Sequence, residues 1–151
     1  MHLLYDKITL RPATVLDTEF ARSVHHAALR DVVCRQFGLW DELAQDKYFA
    51  DGWQPGLFQI VLYEGDRCGY LRVETRADQL MIHEINLHPD VQNRGIGTSL
   101  LQDVLAASSK GRKPVHLQVL RENKAAGLYR ELGFTEIDRN STHIKMQYDP
   151  E

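Results

Sequence analysis

The sequence predicts an α/β fold of the α+β kind, with helices packed on a mixed, mostly antiparallel sheet. Three observations predict it. Strand-like runs alternate with helical periods in the order β, α, α, β, β, β, α, β, α, β, β. The three middle strand runs follow one another directly, as a meander does and a doubly wound parallel sheet does not. The length of 151 residues, with 43% hydrophobic and 26% charged residues, suits a single soluble domain over residues 1–151 and excludes a wholly disordered chain.

Each element has its own signal. Lys7 to Leu10 alternates and reads as a short strand ended by Pro12. Thr14 is placed to cap a helix, with Asp17 near the positive end, and Leu16, Phe20, Val24 and Ala27 recur on one helical face. Gly38 ends that region. A second helix is expected over Asp41 to Ala50, with Trp40, Leu43, Tyr48, Phe49 and Trp53 around it, before the Pro55-Gly56 break. Leu57 to Tyr63 and Cys68 to Glu74 form a hairpin through Glu64-Gly65-Asp66. Leu80 to Leu87 is the next strand, stopped by Pro89. A helix from about Gly95 carries Ile96, Leu100, Leu101, Val104 and Leu105 on one face and closes at Lys110-Gly111-Arg112. Val115 to Leu120 is a buried strand by composition. A last helix runs from about Asn123 to Leu132 and ends at Gly133, and Phe134 to Ile137 and Thr142 to Tyr148 are a final antiparallel pair.

Composition removes several function classes. Lysine and arginine number 18 and aspartate and glutamate 21, a net charge of −3, so a general nucleic-acid binder is not expected. Cys34 and Cys68 show no paired spacing and no neighbouring ligand cluster, which argues against a disulfide scaffold and a bound metal. No apolar run reaches the roughly 18 residues of a membrane helix. Met1 to Lys7 lacks the apolar core and cleavage site of a signal peptide. A cytoplasmic protein with no membrane partner is the expectation.

The chemistry concentrates in two segments. In Gln92-Asn93-Arg94-Gly95-Ile96-Gly97-Thr98 a strand feeds a loop, and two glycines stand where a helix starts. Free main-chain N–H groups and the helix dipole favour an anionic phosphate there, and Arg94 can add a charged contact. The lysine of a P-loop is missing after Gly97, and a Rossmann turn needs a third glycine near the first strand of a parallel unit. The second segment runs from Leu117-Gln118-Val119 through Asn123, Ala126 and Leu128-Tyr129 to Gly133-Phe134.

This second segment resembles the L-x-V-x-x-x-N-x-x-A-x-x-L-Y-x-x-x-G-F signature of the GCN5-related N-acetyltransferases, with a slightly shorter step between Ala126 and Leu128-Tyr129. The glycine turn resembles that superfamily's Q/R-x-x-G-x-G/A acetyl-CoA motif. The match is strict over roughly residues 80–135, while residues 1–56 match only in plan. The resemblance implies splayed fourth and fifth strands, here the runs ending at Leu87 and near Leu120. It implies acetyl-CoA as co-substrate, with no metal. The pantetheine arm would lie in the gap like an added strand, along Ile85, Leu87 and His88. The pyrophosphate would sit on amides of Gln92, Asn93, Arg94, Gly95, Ile96, Gly97 and Thr98, and Asn123 would contact the cofactor near its thiol end.

The implied reaction moves an acetyl group to an amine, which attacks directly if neutral and well oriented. Tyr129 matches the family tyrosine near the sulfur, and a phenol is protonated at neutral pH. A main-chain N–H of Ile85 or Leu87 is the candidate oxyanion donor. For the base, His83, Glu84 and a water chain stay open. His83 shares a face with Ile85 and Leu87 in a regular strand, whereas Glu84 needs the other parity or a bulge. Relatives with a glutamate on the fifth strand place it where this chain has Gln118.

The acceptor region, Ala27 to Trp53, mixes His25, His26, Arg30, Arg35 and Trp40 with Asp41, Glu42, Asp46 and Asp51. A small-molecule amine is the expected partner. Exposed C-terminal strand edges are compatible with a homodimer. Two rivals stand beside the enzyme: an acyl-CoA-binding regulatory or sensor module that has lost turnover, and a nucleotide-binding protein that uses the glycine turn differently.

Overall fold

The computed structural model describes residues 7–150, and Met1 to Asp6, where the signal-peptide reading falls, lie outside them. The seven strands and four helices expected from the sequence all form. They are β1 (Ile8–Pro12), α1 (Thr18–Phe37), α2 (Glu42–Gly52), β2 (Gln59–Tyr63), β3 (Asp66–Thr75), β4 (Leu80–Leu87), α3 (Ile96–Gly111), β5 (Val115–Leu120), α4 (Ala125–Glu131), β6 (Thr135–Arg139) and β7 (His143–Tyr148). Hydrogen bonding orders the strands β1-β2-β3-β4-β5-β7-β6. β4 and β5 are parallel, and the β1–β2, β2–β3, β5–β7 and β6–β7 pairs are antiparallel. The parallel ladder covers Leu80–Val115, Met81–His116 and Ile82–Leu117, so residues 83–87 of β4 and 118–120 of β5 take no part in it.

The chain divides into two compact units, one of residues up to Arg72 with Glu84–Ser99, the other of Val73–His83 with residues from Leu100 onward. In the first, Ala13, Ala21, Val24, Phe49, Phe58, Ile60 and Tyr70 form the core, with Phe20, Trp53 and Leu62 packed against it. Asp17 ties the start of α1 to β1 and β3. It accepts from Arg11 at 2.8 and 2.9 Å, from the Thr14 N–H at 2.9 Å and from Arg67 at 3.1 Å. The Arg11 hydrogen bonds above all hold this buried carboxyl below the usual range. The apolar face expected for α1 is displaced. Leu16 lies in the preceding 3-10 turn and is 86% exposed, and Ala27 is exposed, while Ala21, Val24, His25, His26, Val32 and Val33 are buried. Two histidines take inward positions, which a hydrophobic count does not register. Asp41 caps α2 by accepting from the Ala44 N–H at 3.1 Å.

In the second unit Leu101, Val115, Leu117, Val119, Phe134, Ile144 and Met146 are buried. Phe134 meets the rings of Tyr129 and Tyr148 at 5.7 and 5.6 Å. β6 is an edge strand whose residues are all exposed, and its Glu136, Asp138 and Arg139 make it a charged edge. No helix among the described residues is long and apolar enough to cross a membrane.

Gly69 on β3 is needed for close approach. A side chain there would run into the Asn86 carbonyl and lie 2.8 Å from Leu87 Cδ2. We expect Gly69→Ala to cost about 1–3 kcal/mol through overpacking. Urea denaturation measures it, and an unchanged midpoint would show that β4 shifts aside freely.

Candidate functional site

The turn after β4 is built by short-range hydrogen bonds. The His88 N–H donates to Cys68 O at 2.8 Å, and His88 Nδ1 accepts from the Asp90 N–H at 3.1 Å, shaping the 3-10 turn Pro89–Val91. The Gln92 N–H donates to Pro89 O at 3.2 Å, and its side-chain Nε2 donates to Leu87 O at 3.0 Å, clamping the turn to the strand end. Asn93 and Gly95 then take left-handed φ values of 63° and 84° on either side of exposed Arg94. Such alternation turns successive N–H groups toward one concavity. Glycine carries the left-handed φ at 95 without strain, and asparagine is the side chain best suited to it at 93. The Ser99 N–H donates to Gly95 O at 3.0 Å, so the N–H groups of Ile96, Gly97 and Thr98 precede the first intrahelical bond and stand at the positive end of α3. At Gly97 a Cβ would meet only Leu87 Cδ1, at 3.7 Å, so the chain's own packing does not demand glycine there. Electrostatics and geometry both suit an anion.

The same unit carries Glu84, Ile85, Asn86 and Leu87 on β4. Burial pushes the half-buried Glu84 carboxyl up to about 7, against the opposing pull of the Arg72 charge. Tyr70 is fully buried, and its phenol is pushed well up, by burial first and then by the Glu84 charge. Asn86 Nδ2 donates to Tyr70 Oη at 3.0 Å. Glu84 thus interacts with Tyr70 and Arg72, on the same strand face as Asn86 that regular alternation gives it. At its two ends the β3–β4 pair is closed by the Arg76 N–H donating to Gln79 O and the His88 N–H donating to Cys68 O.

His83 belongs to the other unit. Its Nε2 lies 2.8 Å from Glu74 Oε1, which Arg76 also meets at 3.1 Å. Arg76 and then His83 hold the Glu74 carboxyl down to about 2. The imidazole is therefore engaged in a cross-strand hydrogen bond. In the same unit Asn123 shapes the start of α4: its N–H donates to Leu120 O at 3.0 Å, and its Oδ1 accepts from the Ala125 N–H at 2.9 Å. Burial raises the Tyr129 phenol above its ordinary value. A concavity of about 340 Å³ beside Asn123 is lined by Arg121, Lys124, Arg130 and Arg139, a basic surface that no sequence motif announces.

The expected acceptor region is more tightly paired than its composition implies. Arg30 meets Glu42 at 3.4 Å and Arg35 pairs with Asp31. Glu42 also accepts from Trp40 Nε1 at 2.6 Å. His26 Nε2 lies 2.6 Å from Asp46 Oδ1, and the two Nδ1 atoms of His25 and His26 are 2.9 Å apart. Burial pushes His25 down to about 4, so it is neutral at pH 7. His26, Glu42 and Asp46 bring ligand-type atoms within 4.8 Å of one another, though all three already serve these hydrogen bonds and ion pairs.

Sequence reasoning does not single out Tyr70, Arg72 and Asn86. The available signal is Asn86 itself, an uncharged amide in the otherwise apolar end of β4. Tyr70 and Arg72 read as ordinary strand residues.

A family model described as an acetyltransferase (GNAT) domain matches residues 54–136. An uncharacterized N-acetyltransferase of Methanocaldococcus jannaschii is 39% identical over 71 residues, which cover 46% of this chain and 31% of that protein. The N-alpha-acetyltransferase RimI of Mycobacterium tuberculosis is 33% identical over 103 residues, 58% of this chain and 64% of that protein. The chain thus spans about a third and just under two thirds of these relatives' lengths. Among solved structures, the PaiA N-acetyltransferase of Thermoplasma acidophilum in complex with coenzyme A superposes with a TM-score of 0.76 at 18% identity, over 94% of this chain and 98% of that one. The ribosomal-protein-S18-alanine N-acetyltransferase of Escherichia coli gives 0.66 at 21% identity, over 94% and 93%. At these identities the likeness is one of fold.

Glu84 also sets a pH dependence of stability. Its pKa of about 7 in the fold lies above its ordinary 4.5, so the folded chain holds this proton more tightly than the unfolded chain. The stabilisation is complete below about 4.5 and is lost as pH rises through about 7. Glutamine imitates the neutral acid. Glu84→Gln is therefore expected to gain on the wild type by up to about 3 kcal/mol at pH 8 and by almost nothing at pH 4. Urea midpoints at both pH values measure this, and an equal difference at the two would contradict the burial of the carboxyl.

Proposed function

We propose that this chain, which belongs to the GNAT acetyltransferase family, is an N-acetyltransferase that moves the acetyl group of acetyl-CoA to a primary amine of a small molecule by direct attack. The family match over residues 54–136 carries the proposal, and the half-buried Glu84 on β4, its carboxyl raised by burial, supplies a candidate base. A general base works best with a pKa near the working pH. His83 is held by Glu74, so Glu84 takes the role.

The turn from Asn93 to Thr98 supports diphosphate binding through its converging N–H groups. Gln92 holds that turn in shape, and Arg94 is free to reach a phosphate oxygen. Residues 83–87 lie outside the β5 ladder, so main-chain groups of β4 are available to an extended ligand, and Ile85 or Leu87 offers an N–H to the acetyl oxygen. Asn123 offers its side chain at the start of α4.

Glu84 accepts one ammonium proton, the freed amine nitrogen bonds to the acetyl carbon, and the C–S bond breaks as that nitrogen gives its second proton to solvent. Tyr129 receives the departing thiolate. Its phenol sits above 10 because of burial, and a thiol ionises near 8.5, so the tyrosine stabilises the sulfur by donating a hydrogen bond while solvent supplies the proton. A second reading has a specific support: the RimI relative is an N-alpha-acetyltransferase, which favours a protein N-terminal amine as acceptor.

Release of free thiol across an amine panel tests the activity. Tight CoA binding with no amine-dependent release would instead favour the sensor module. For the active enzyme, kcat/KM should rise with pH through about 7, a limb lost in Glu84→Gln and kept in His83→Ala. Loss of the limb in the histidine variant alone would reassign the base. Tyr129→Phe should lower kcat by about 10- to 100-fold and leave the KM for acetyl-CoA nearly unchanged. Equal kcat values would remove the phenol from the mechanism.

A further inference from the structure

Resting on the acetyltransferase reading, we propose that the acceptor is a zwitterionic small molecule, an amino acid, whose ammonium group is received by Glu84 and Asn86 and whose carboxylate is received by Arg72.

Arg72 is the anomaly that leads there. Most arginines of its unit are matched to carboxylates: Arg11 and Arg67 to Asp17, Arg22 to Glu19 and Asp46, Arg30 to Glu42, and Arg35 to Asp31. Among the described residues Arg72 has neither a hydrogen bond nor an ion pair, although it is half-buried in β3. Its guanidinium carbon lies 6.0 Å from the ring centre of Phe58. That ring is itself buried and packs against Trp53 at 4.6 Å and Tyr70 at 5.7 Å. A permanently charged fork is thus set beside a rigid aromatic cluster with its hydrogen-bonding edge uncommitted. Half-buried guanidinium groups are favourable when an anion completes them, and a carboxylate matches the fork in two parallel hydrogen bonds.

Asn86 supplies the complementary half. Its Nδ2 donates to the buried Tyr70 hydroxyl at 3.0 Å, which fixes the amide and leaves Oδ1 as an acceptor. Glu84 stands two residues earlier on β4 and meets Arg72 and Tyr70 electrostatically. The set offers two oxygen acceptors for an ammonium group and one donor fork for an anion. A polyamine would bring a second cation toward Arg72, and a plain alkylamine would leave the guanidinium without an acceptor.

The test compares free amino acids with their carboxamides, together with a simple alkylamine, a polyamine and a short peptide, by thiol release from acetyl-CoA. The expected result is a kcat/KM for the amino acid about 10- to 100-fold above that for its carboxamide, the range of one charged hydrogen-bonded contact. In Arg72→Gln that ratio should fall toward one, and Arg72→Lys should keep part of it. The ratio is insensitive to any change in Glu84 that Arg72 causes, because both substrates use the same base. A wild-type ratio near one, a preference for the polyamine or the peptide, or a ratio that persists in Arg72→Gln would overturn the inference and leave the acetyltransferase reading intact. Thiol release with no amine at all would overturn that reading and this inference together.

Discussion

The parallel ladder between β4 and β5 stops after Ile82 and Leu117, and the chemistry available to the chain follows from that early stop. A strand's main-chain N–H and C=O groups need partners, and a buried N–H left without one costs about 1–3 kcal/mol. β5 is satisfied along its other side, where every residue from Val115 to Leu120 pairs with β7. Beyond the ladder, residues 83–87 of β4 have no partner on β5, and the Gln92 side chain donates to Leu87 O at 3.0 Å. A closed sheet would leave no such strand.

Two glutamates on neighbouring strands show how local surroundings divide one residue type into two roles. Glu74 accepts from Arg76 and faces His83, and its carboxyl falls to about 2. Glu84 is half-buried with only the opposing pull of the Arg72 charge, and its carboxyl rises to about 7. The first is a permanently ionised strut. The second is raised toward neutrality by its burial. Gly69 lets Asn86 and Leu87 come close to β3 beside Glu84.

Specificity has its own supports in the first unit. His25 and His26 occupy inward positions of α1, with His26 bonded to Asp46 on α2. Arg30, Trp40 and Glu42 join the end of α1 to the start of α2. These contacts consume charges that composition alone offered to a substrate. Arg72 escapes that pairing because its neighbour on the sheet is the aromatic face of Phe58.

Much of this is legible in the linear sequence. The strand and helix order, the two glycines opening α3 and the Asn123-to-Phe134 segment are local patterns, and such patterns can be read from the residues in order because they depend on neighbours three or four positions away. The inward turn of His25, the displaced face of α1 and the ion pairing of Arg30 are not legible, since each depends on a residue 10 or more positions distant, as with Arg30 and Glu42 at a separation of 12. The choice between His83 and Glu84 shows the division most plainly. Sequence by itself leaves His83, Glu84 and a water chain open as the base, with His83 on the face of Ile85 and Leu87 in a regular strand. Only the tertiary structure shows that His83 lies against Glu74 while Glu84 is half-buried with its carboxyl raised, because those surroundings come from a neighbouring strand and leave no mark on β4 itself.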